Sequence, residues 1–318
     1  MKALICGIAG QDGSYLAKQL LDKGYEVIGT SRDAMMTTFN NLHRLDIAEK
    51  IQTTSMAIND FRSVLNTVQR YQPDEIYNLA GQTSVALSFE QPVEAMESIA
   101  GGTLNLLEVI RFVSQPIRFY NAGSSECFGE TMEQPATEES PFRPRSPYAA
   151  AKASAYWLLR NYRDAYGLFA CTGILFNHES PLRHERFVTQ KVVRSAARIA
   201  DGAQFKLELG NIDIYRDWGW APDYVEAMWM MLQNNVPEDY VIATGESYSL
   251  EDFVSKAFSF FGLDWRQHVT FNNQFRRPTD IRRSCGNPAK ARQQLKWQAG
   301  KNFDGVVRSM CEAALHSK

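Results

Sequence analysis

The chain has 318 residues, 44 % of them hydrophobic and 22 % charged, which is the composition of a globular protein and excludes a disordered one. Its formal net charge of −2 excludes an overall basic field that would attract nucleic acid or an anionic membrane surface. The five cysteines lack paired spacing, so we expect neither a disulfide framework nor a metal site. With no basic leader and no long apolar run in the sequence, we expect a cytoplasmic protein.

The first half of the chain alternates short apolar runs with segments of helical periodicity. We expect strands at residues 3–6, 26–30, 75–79, 117–121 and 169–176. Helical segments between them include residues 13–23 and 102–113. Alternating strands and helices predict right-handed crossovers and a mostly parallel sheet covered on both faces. The expected fold class is therefore α/β, a doubly wound Rossmann sheet.

The composition changes after residue 176. A polar, Arg-rich stretch leads into an expected helix at 187–201, and another helix is expected around 223–233. We predict a cofactor-binding Rossmann domain over residues 1–176 and a smaller α/β substrate domain over 177–318. The two are expected to interleave, with a segment near 217–235 returning to the first domain.

A glycine-rich turn joins the first expected strand to the first helix, at residues 7–13. Glycine suits a tight turn and a close approach of the backbone to a pyrophosphate, and the helix N-terminus adds free N–H groups. The alternative is an ordinary glycine-rich turn, but the strand–turn–helix context favours a dinucleotide site. We assign to this site Gly7, Gly10, Gln11, Asp12 and Gly13, with Leu79 and Ala80 at the end of a neighbouring strand.

The end of the second expected strand indicates which nicotinamide cofactor binds. Sites for NAD usually place a carboxylate there to bind the ribose 2′-hydroxyl. Here Ser31 is followed by Arg32, whose guanidinium suits a 2′-phosphate. The sequence therefore favours NADP, with Arg32 as a ligand. Two alternatives stay open: Asp33 could serve an NAD ribose, or Arg32 could be an ordinary solvated residue.

A tyrosine and a lysine lie one helical turn apart at Tyr148 and Lys152. Lowering a tyrosine pKa from about 10 to about 7 requires roughly 4 kcal/mol of preferential stabilisation of the phenolate. A neighbouring ammonium and a positive nicotinamide can supply it in a partly dry site. The alternative is an amphipathic helix surface, but the upstream glycine cradle favours catalysis.

Polar side chains follow the strand expected at residues 117–121. Ser124 can hydrogen-bond a substrate oxygen, and Glu126 can remove a carbon-bound proton. Ligands of doubly wound sheets bind at the carboxyl ends of the strands, where these residues should lie. The alternative makes Ser124 a turn former and Glu126 a charge at a helix N-terminus.

Seven segments resemble the GDP-mannose 4,6-dehydratase family, an extended branch of the short-chain dehydrogenases, and the resemblance covers nearly the whole chain. They are GIAGQDGSY (7–15), YNLAGQTSV (77–85), PFRPRSPYAAAKASAYW (141–157), GILFNHESP (173–181), FVTQK (187–191), RDWG (216–219) and EDYVIATG (238–245). The resemblance implies a hydro-lyase that uses NADP in an internal redox cycle on a GDP-sugar.

Family roles carry over to matching positions. The resemblance implies that Tyr148 takes the proton of the sugar 4-hydroxyl, Lys152 holds the nicotinamide ribose, and Ser124 hydrogen-bonds the C4 oxygen. Glu126 then removes the C5 proton and water leaves from C6. The implied substrate site comprises Ser84, Asn177, Val188, Lys191, Arg216, Arg277 and Asp280.

The chain also departs from the family pattern. Ser124 replaces a threonine, Cys127 replaces a larger apolar residue, and residues 33–36 replace an arginine and a serine-rich loop. Asp280 and Arg282 stand where the family tends to have Glu and Asp.

These departures leave open a dehydratase for another GDP-sugar such as a GDP-heptose. A second alternative on the same scaffold is a GDP-4-keto-6-deoxysugar reductase or epimerase. A non-catalytic nucleotide-binding protein ranks last, because Tyr148, Lys152 and Glu126 are all present. A homodimer or homotetramer is expected, with residues 102–111 suited to an interface.

Overall fold

The structure is a computed structural model that describes residues 1–131, 134–275 and 278–315. Its strands are β1 (Lys2–Cys6), β2 (Glu26–Ser31), β3 (Gln52–Ser55), β4 (Glu75–Asn78), β5 (Arg118–Ala122), β6 (Ala170–Leu175), β7 (Asn177–Glu179), β8 (Leu207–Leu209), β9 (Tyr215–Arg216), β10 (Trp218–Trp220), β11 (Tyr240–Ile242), β12 (Tyr248–Ser249) and β13 (Val269–Phe271). Its α-helices are α1 (Gln11–Asp22), α2 (Asn40–Arg44), α3 (Phe61–Tyr71), α4 (Val85–Glu90), α5 (Pro92–Met96), α6 (Gly102–Val113), α7 (Pro147–Tyr166), α8 (Val188–Ala200), α9 (Ala221–Gln233), α10 (Leu250–Phe260) and α11 (Phe303–Leu315).

Seven parallel strands form the central sheet, in the order β11-β6-β5-β4-β1-β2-β3. The prediction of a doubly wound parallel sheet is confirmed. Strands β3 and β11 were not predicted. Strand β3 lies at one edge and has no apolar run, since its residues are largely exposed. Strand β11 is only three residues long, too short for an apolar run to predict it.

Helices cover both faces of this sheet. On one face α1 and α9 pack together, and their core includes Leu16 and Met228 beside the sheet residues Ile5 and Tyr77. On the other face α3, α6 and α7 enclose a core around Val68, Leu106 and Leu159. Apart from the edge strand β3, the strands are largely buried from both sides, which leaves the loops at their ends free to bind ligands.

The C-terminal part of the chain has a core of its own and also joins the large sheet. Helices α8, α10 and α11 pack around Trp218, Phe253 and Phe303. Helix α9 lies against α1, and β11 extends the sheet beside β6. The two-domain division stays a prediction, because segments after residue 176 contribute to both cores. Among the described residues, no helix is long and apolar enough to cross a lipid bilayer.

Candidate active site

A cavity of about 380 Å³ opens at the carboxyl ends of β1, β4, β5 and β6. Segments from the smaller C-terminal core form its opposite wall. The predicted residues that line it are Asp12, Leu79, Ser84, Ser124, Glu126, Tyr148, Lys152, Asn177, Val188, Lys191, Arg216 and Asp280. The fold therefore brings residues from positions 12 to 280 of the chain to one place.

Two glycines of the turn after β1, Gly7 and Gly13, have no room for a side chain. Gly7 has φ +85°, and a Cβ on it would lie 2.9 Å from the Leu79 carbonyl oxygen. A Cβ on Gly13 would lie 2.5 Å from the carbonyl oxygen of Gly7. Gly10 is the N-cap of α1 and offers no side-chain cap, so the first-turn N–H groups face outward for an anion. These features fit the pyrophosphate of a dinucleotide cofactor.

Tyr148 and Lys152 lie in the first two turns of α7. The helix begins where the Ser146 hydroxyl accepts a hydrogen bond from the Ala149 N–H at 3.1 Å, with Pro147 at the first helical position. The Lys152 ammonium donates to the Ala122 carbonyl oxygen at 2.7 Å and lies 5.9 Å from the centre of the Tyr148 ring. Both side chains are buried.

An apolar wall surrounds the Tyr148 ring, and sequence reasoning missed it. Ile99, Ala151 and Ala155 form one buried apolar cluster with this ring. Ile99 lies in a π-helical turn, Glu97–Gly101, that precedes α6. Burial among these groups raises the pKa of Tyr148, while the neighbouring Ser124 hydroxyl acts to lower it. Burial thus disfavours the phenolate, and a positive charge brought by a ligand would favour it.

Burial lowers the pKa of Lys152 to about 8. The folded protein therefore binds this proton more weakly than the unfolded chain does, and burying the charged ammonium costs about 3 kcal/mol below the folded pKa. The cost disappears as the pH rises from about 8 to 10.5, the ordinary pKa of a lysine side chain. We expect Lys152→Met to unfold with a larger free energy than the wild-type chain near neutral pH, with the difference shrinking across that window. Urea unfolding followed by tryptophan fluorescence measures it.

An exposed lysine provides the control for this prediction. The Lys18 side chain is 47 % exposed on α1. Its substitution by Met should change the unfolding free energy little, and by the same amount at each pH. An equal response of the two variants to pH would contradict the assigned cost of burying Lys152.

Ser124 and Glu126 lie at the end of β5, where the short helical turn Ser125–Phe128 begins. The Ser124 hydroxyl accepts the Glu126 N–H at 3.3 Å, and both residues line the cavity that Tyr148 also lines. Cys127 is buried and donates to the Ala149 carbonyl oxygen at 3.7 Å. Burial raises its pKa to about 12, so it stays a thiol and acts as a packing residue.

A buried guanidinium lies on the far wall of the cavity. Arg216 is 5 % exposed; it donates to the Ile281 carbonyl oxygen at 2.7 Å and pairs with Asp280 at 3.1 Å. Lys191 donates to the Glu208 carbonyl oxygen at 2.8 Å. Cationic groups at this end can bind the phosphates of a nucleotide. Arg277, assigned to the same site, lies outside the described residues.

Ser84 and Arg32 have local partners. The Ser84 hydroxyl caps α4 by accepting the Leu87 N–H at 3.2 Å. Arg32 follows β2, is 79 % exposed, and pairs with Glu94 at 2.9 Å. The carboxylate of Asp33 accepts the N–H groups of Met35 and Met36 at 3.0 and 3.1 Å, so a local turn already uses it.

Other cavity residues were not assigned from the sequence. They include Thr83, His178, Arg183, Arg186, Trp218 and Phe275. The Arg-rich stretch after residue 176 was a signal for the two arginines, whose roles the sequence leaves open. His178 had no such signal, because its partners in the cavity come from the other end of the chain.

The family model described as GDP-mannose 4,6 dehydratase matches residues 4–310. A GDP-mannose 4,6 dehydratase of Arabidopsis thaliana is 45 % identical over 98 % of this chain and 89 % of its own length. The Vibrio cholerae enzyme of that name is 42 % identical over 98 % of this chain and 91 % of its own length. The chain belongs to the GDP-mannose 4,6-dehydratase family. The resemblance carried by the seven sequence segments is thereby confirmed.

Solved structures agree on the fold of this family member. The UDP-glucose 4-epimerase of Thermus thermophilus, in complex with NAD, has a TM-score of 0.87 and 25 % identity, and each chain is covered to 100 %. A dTDP-glucose 4,6-dehydratase of Streptomyces venezuelae, with NAD bound, has a TM-score of 0.87 and 22 % identity over 100 % of this chain and 98 % of that one. The chain thus belongs to a family of nucleotide-sugar dehydratases and has a Rossmann fold.

Proposed function

We propose that this chain converts GDP-mannose to GDP-4-keto-6-deoxymannose by internal redox chemistry and elimination of water. The observation that carries the proposal is the meeting of Ser124, Glu126, Tyr148 and Lys152 in one cavity beside the glycine cradle. Family membership supplies the substrate, and the four side chains match the groups that oxidation at C4 and elimination across C5 and C6 require.

The first half of the reaction needs a base and an oxygen ligand at C4. Tyr148 takes the proton of the 4-hydroxyl, and Ser124 holds the same oxygen by a hydrogen bond. Lys152 lies below the phenol and stabilises the phenolate. The glycine cradle and Lys152 would hold a nicotinamide cofactor, which would supply a hydride acceptor for C4 and the hydride that C6 receives later.

The second half of the reaction needs a base at C5. A ketone at C4 acidifies the C5–H bond. Glu126 removes this proton and gives it to the departing C6 hydroxyl, which leaves as water while the C5–C6 double bond forms. A reductase or an epimerase of similar fold has no need for a carboxylate here. Glu126 is therefore the residue that favours dehydration over those alternatives.

The nucleotide is held at the far wall. The Arg216 guanidinium suits the diphosphate, together with Arg277 from the sequence pattern. Ser84, Asn177, Val188 and Lys191 line the route between the sugar and the base. Asp280 keeps Arg216 oriented through their ion pair. These assignments make the cation at position 216 the main anchor of the GDP moiety.

The cofactor of this proposal is NADP, with NAD as the alternative. Arg32 follows β2 where a 2′-phosphate would lie, while the Asp33 carboxylate is engaged in its own turn. We expect Arg32→Ala to weaken NADP binding by about tenfold or more, since a charge-assisted hydrogen bond contributes roughly 1.5–3 kcal/mol. NAD binding should change little. Titration of both reduced cofactors by nicotinamide fluorescence measures the two affinities.

A substitution of Glu94, the ion-pair partner of Arg32, provides a matched test of the choice between NADP and NAD. Glu94 pairs with Arg32 and is a negative charge that a 2′-phosphate would meet. Glu94→Gln should therefore tighten NADP binding without affecting NAD. A loss of NAD affinity in Arg32→Ala equal to that of NADP would show that Arg32 does not contact the phosphate.

Product analysis tests the proposed function directly. The protein is mixed with GDP-mannose and a catalytic amount of NADP, and the products are followed by NMR. A dehydratase forms the 4-keto-6-deoxy product while free NADPH does not accumulate. Stoichiometric use of NADPH on a 4-keto-6-deoxysugar would instead indicate a reductase, and inversion at a ring carbon an epimerase. The same assay with other GDP-sugars, a GDP-heptose included, fixes the sugar.

We also propose that the chain assembles as a homodimer or homotetramer. Helices α6 and α7 pack side by side and carry the exposed apolar residues Phe112, Trp157 and Tyr166, which are 64 %, 56 % and 49 % exposed. Apolar groups of this size on adjacent helices suit a helix-to-helix interface. Light scattering on the purified protein measures the assembly.

A further inference from the structure

His178 connects the substrate strand to the cofactor cradle. Its Nε2 atom lies 2.9 Å from a carboxylate oxygen of Asp12, the second residue of α1. Its Nδ1 atom lies 2.7 Å from the carbonyl oxygen of Phe176. Both ring nitrogens thus face acceptors, an arrangement that the protonated imidazole satisfies with two donors. The ring also stacks on Tyr224, with centroids 4.5 Å apart.

Gln11 forms a second link between the same two segments. Its Nε2 atom donates to the His178 carbonyl oxygen at 3.2 Å, and its Oε1 atom accepts the Ser180 hydroxyl at 2.7 Å. Gln11 and His178 are each 7 % exposed, and Ser180 is fully buried. Two consecutive side chains of the cradle therefore hold the segment that contains β7.

Strand β7 needs such links because it lies outside the large sheet. It has three residues and pairs with β10 in a separate two-stranded sheet. Its first residue, Asn177, lines the cavity, and its register partner Trp218 lines it too. A short two-stranded sheet is only marginally stable by itself. The position of Asn177 relative to the cradle therefore depends on the buried side-chain contacts.

The charge of Asp12 also requires a partner. Burial acts to raise its pKa, but the charge of His178 and hydrogen bonds from His178 and Gln11 lower the pKa to about 2. A bare carboxylate at the start of α1 would repel the pyrophosphate of a cofactor. Arg183 adds a further positive charge nearby. The pair keeps this end of the cavity from presenting an uncompensated negative charge.

We propose that Asp12 and His178 are positioning residues that set the sugar against the cofactor by tying β7 to the cradle. The inference rests on the proposed function, since it assumes that one cavity holds both ligands. Loss of this link should misplace the sugar carbon relative to the nicotinamide carbon with which it exchanges hydride. It should not remove any group that takes part in the reaction. Misplacement by about 1 Å can slow a reaction about a hundredfold.

His178→Phe tests this link, because the ring still stacks on Tyr224 while both nitrogens are lost. We expect kcat to fall about a hundredfold, with a smaller change in KM for GDP-mannose. The kinetic isotope effect with substrate deuterated at C4 should increase. In addition, part of the 4-keto intermediate should dissociate from the enzyme before hydride is returned, so that the cofactor stays reduced. A merely structural role would lower the amount of folded enzyme without changing the isotope effect or the fraction that escapes.

A remote buried ion pair provides the control. Arg163 and Asp239 are 2.7 Å apart at the amino end of β11 and do not line the cavity. Asp239→Asn should lower stability while the isotope effect and the escaping fraction stay at wild-type values. If His178→Phe behaves like this control, the proposal is wrong.

If His178→Phe fails to fold, Asp12→Asn tests the same link, because asparagine keeps the shape of the aspartate side chain. We expect it to show the same changes in the isotope effect and in ketone escape, at a smaller size. Wild-type values for both would overturn the proposal. Failure of the proposed function is a different result: the unmodified protein would then form no 4-keto product from GDP-mannose.

Discussion

Glu126→Gln is expected to stop product formation at the elimination step. Loss of a general base slows the step it serves by about 10²–10⁴-fold. Oxidation at C4 does not need Glu126, so a single turnover should still reduce the cofactor. The absorbance of reduced nicotinamide should therefore rise and stay high in the variant, whereas in the wild-type chain it should return to its starting value. Stopped-flow absorbance with enzyme in excess measures this difference.

The control for this variant is a carboxylate on the same stretch of chain. Glu139 is exposed on the segment that leads from β5 to α7. Glu139→Gln should give the wild-type time course and the wild-type amount of product. Full turnover in Glu126→Gln would show that another group is the base at C5.

Tyr148→Phe is expected to block the reaction one step earlier. Without the phenol, the 4-hydroxyl has no base, and oxidation should slow by about 10²–10⁴-fold. The same single-turnover experiment should then show no rise in reduced nicotinamide. The Phe ring still packs against Ile99, so stability and cofactor binding should be retained. The two variants thus separate the halves of the reaction by the presence or absence of one absorbance change.

A second tyrosine of α7 is the matched control. Tyr156 is also buried, and its hydroxyl accepts a hydrogen bond from Arg160 at 3.3 Å. It packs in a different core, so Tyr156→Phe should leave the absorbance time course unchanged. If Tyr148→Phe still reduced the cofactor at the wild-type rate, proton removal from C4 would belong to another side chain.

Local sequence patterns predicted much of this fold and part of the site. Apolar runs predicted β1, β2, β4, β5 and β6 close to their observed ends, because strands buried on both faces are continuously apolar. Tyr148 and Lys152 were paired from their spacing, since residues one turn apart share a helix face, and the upstream glycine cradle favoured a catalytic role. Ser124 and Glu126 were predicted to be site residues because they come directly after the strand observed as β5.

Contacts between distant segments could not be predicted in this way. Asp12 and His178 are separated by 166 positions, and no local pattern indicates that α1 and β7 meet. Ile99 reads as an ordinary core residue until the π-helical turn is seen to carry it against Tyr148. The ion pair of Arg32 with Glu94 likewise depends on how α5 packs near the end of β2.

All five cysteines of the chain are buried: Cys6, Cys127, Cys171, Cys285 and Cys311. Burial raises the pKa of Cys6, Cys127 and Cys311 to about 12. Alkylating agents and peroxides attack the thiolate, which is scarce in all three positions. The thiols of the folded protein should accordingly react slowly with alkylating agents, and Cys127 should stay a thiol beside Glu126.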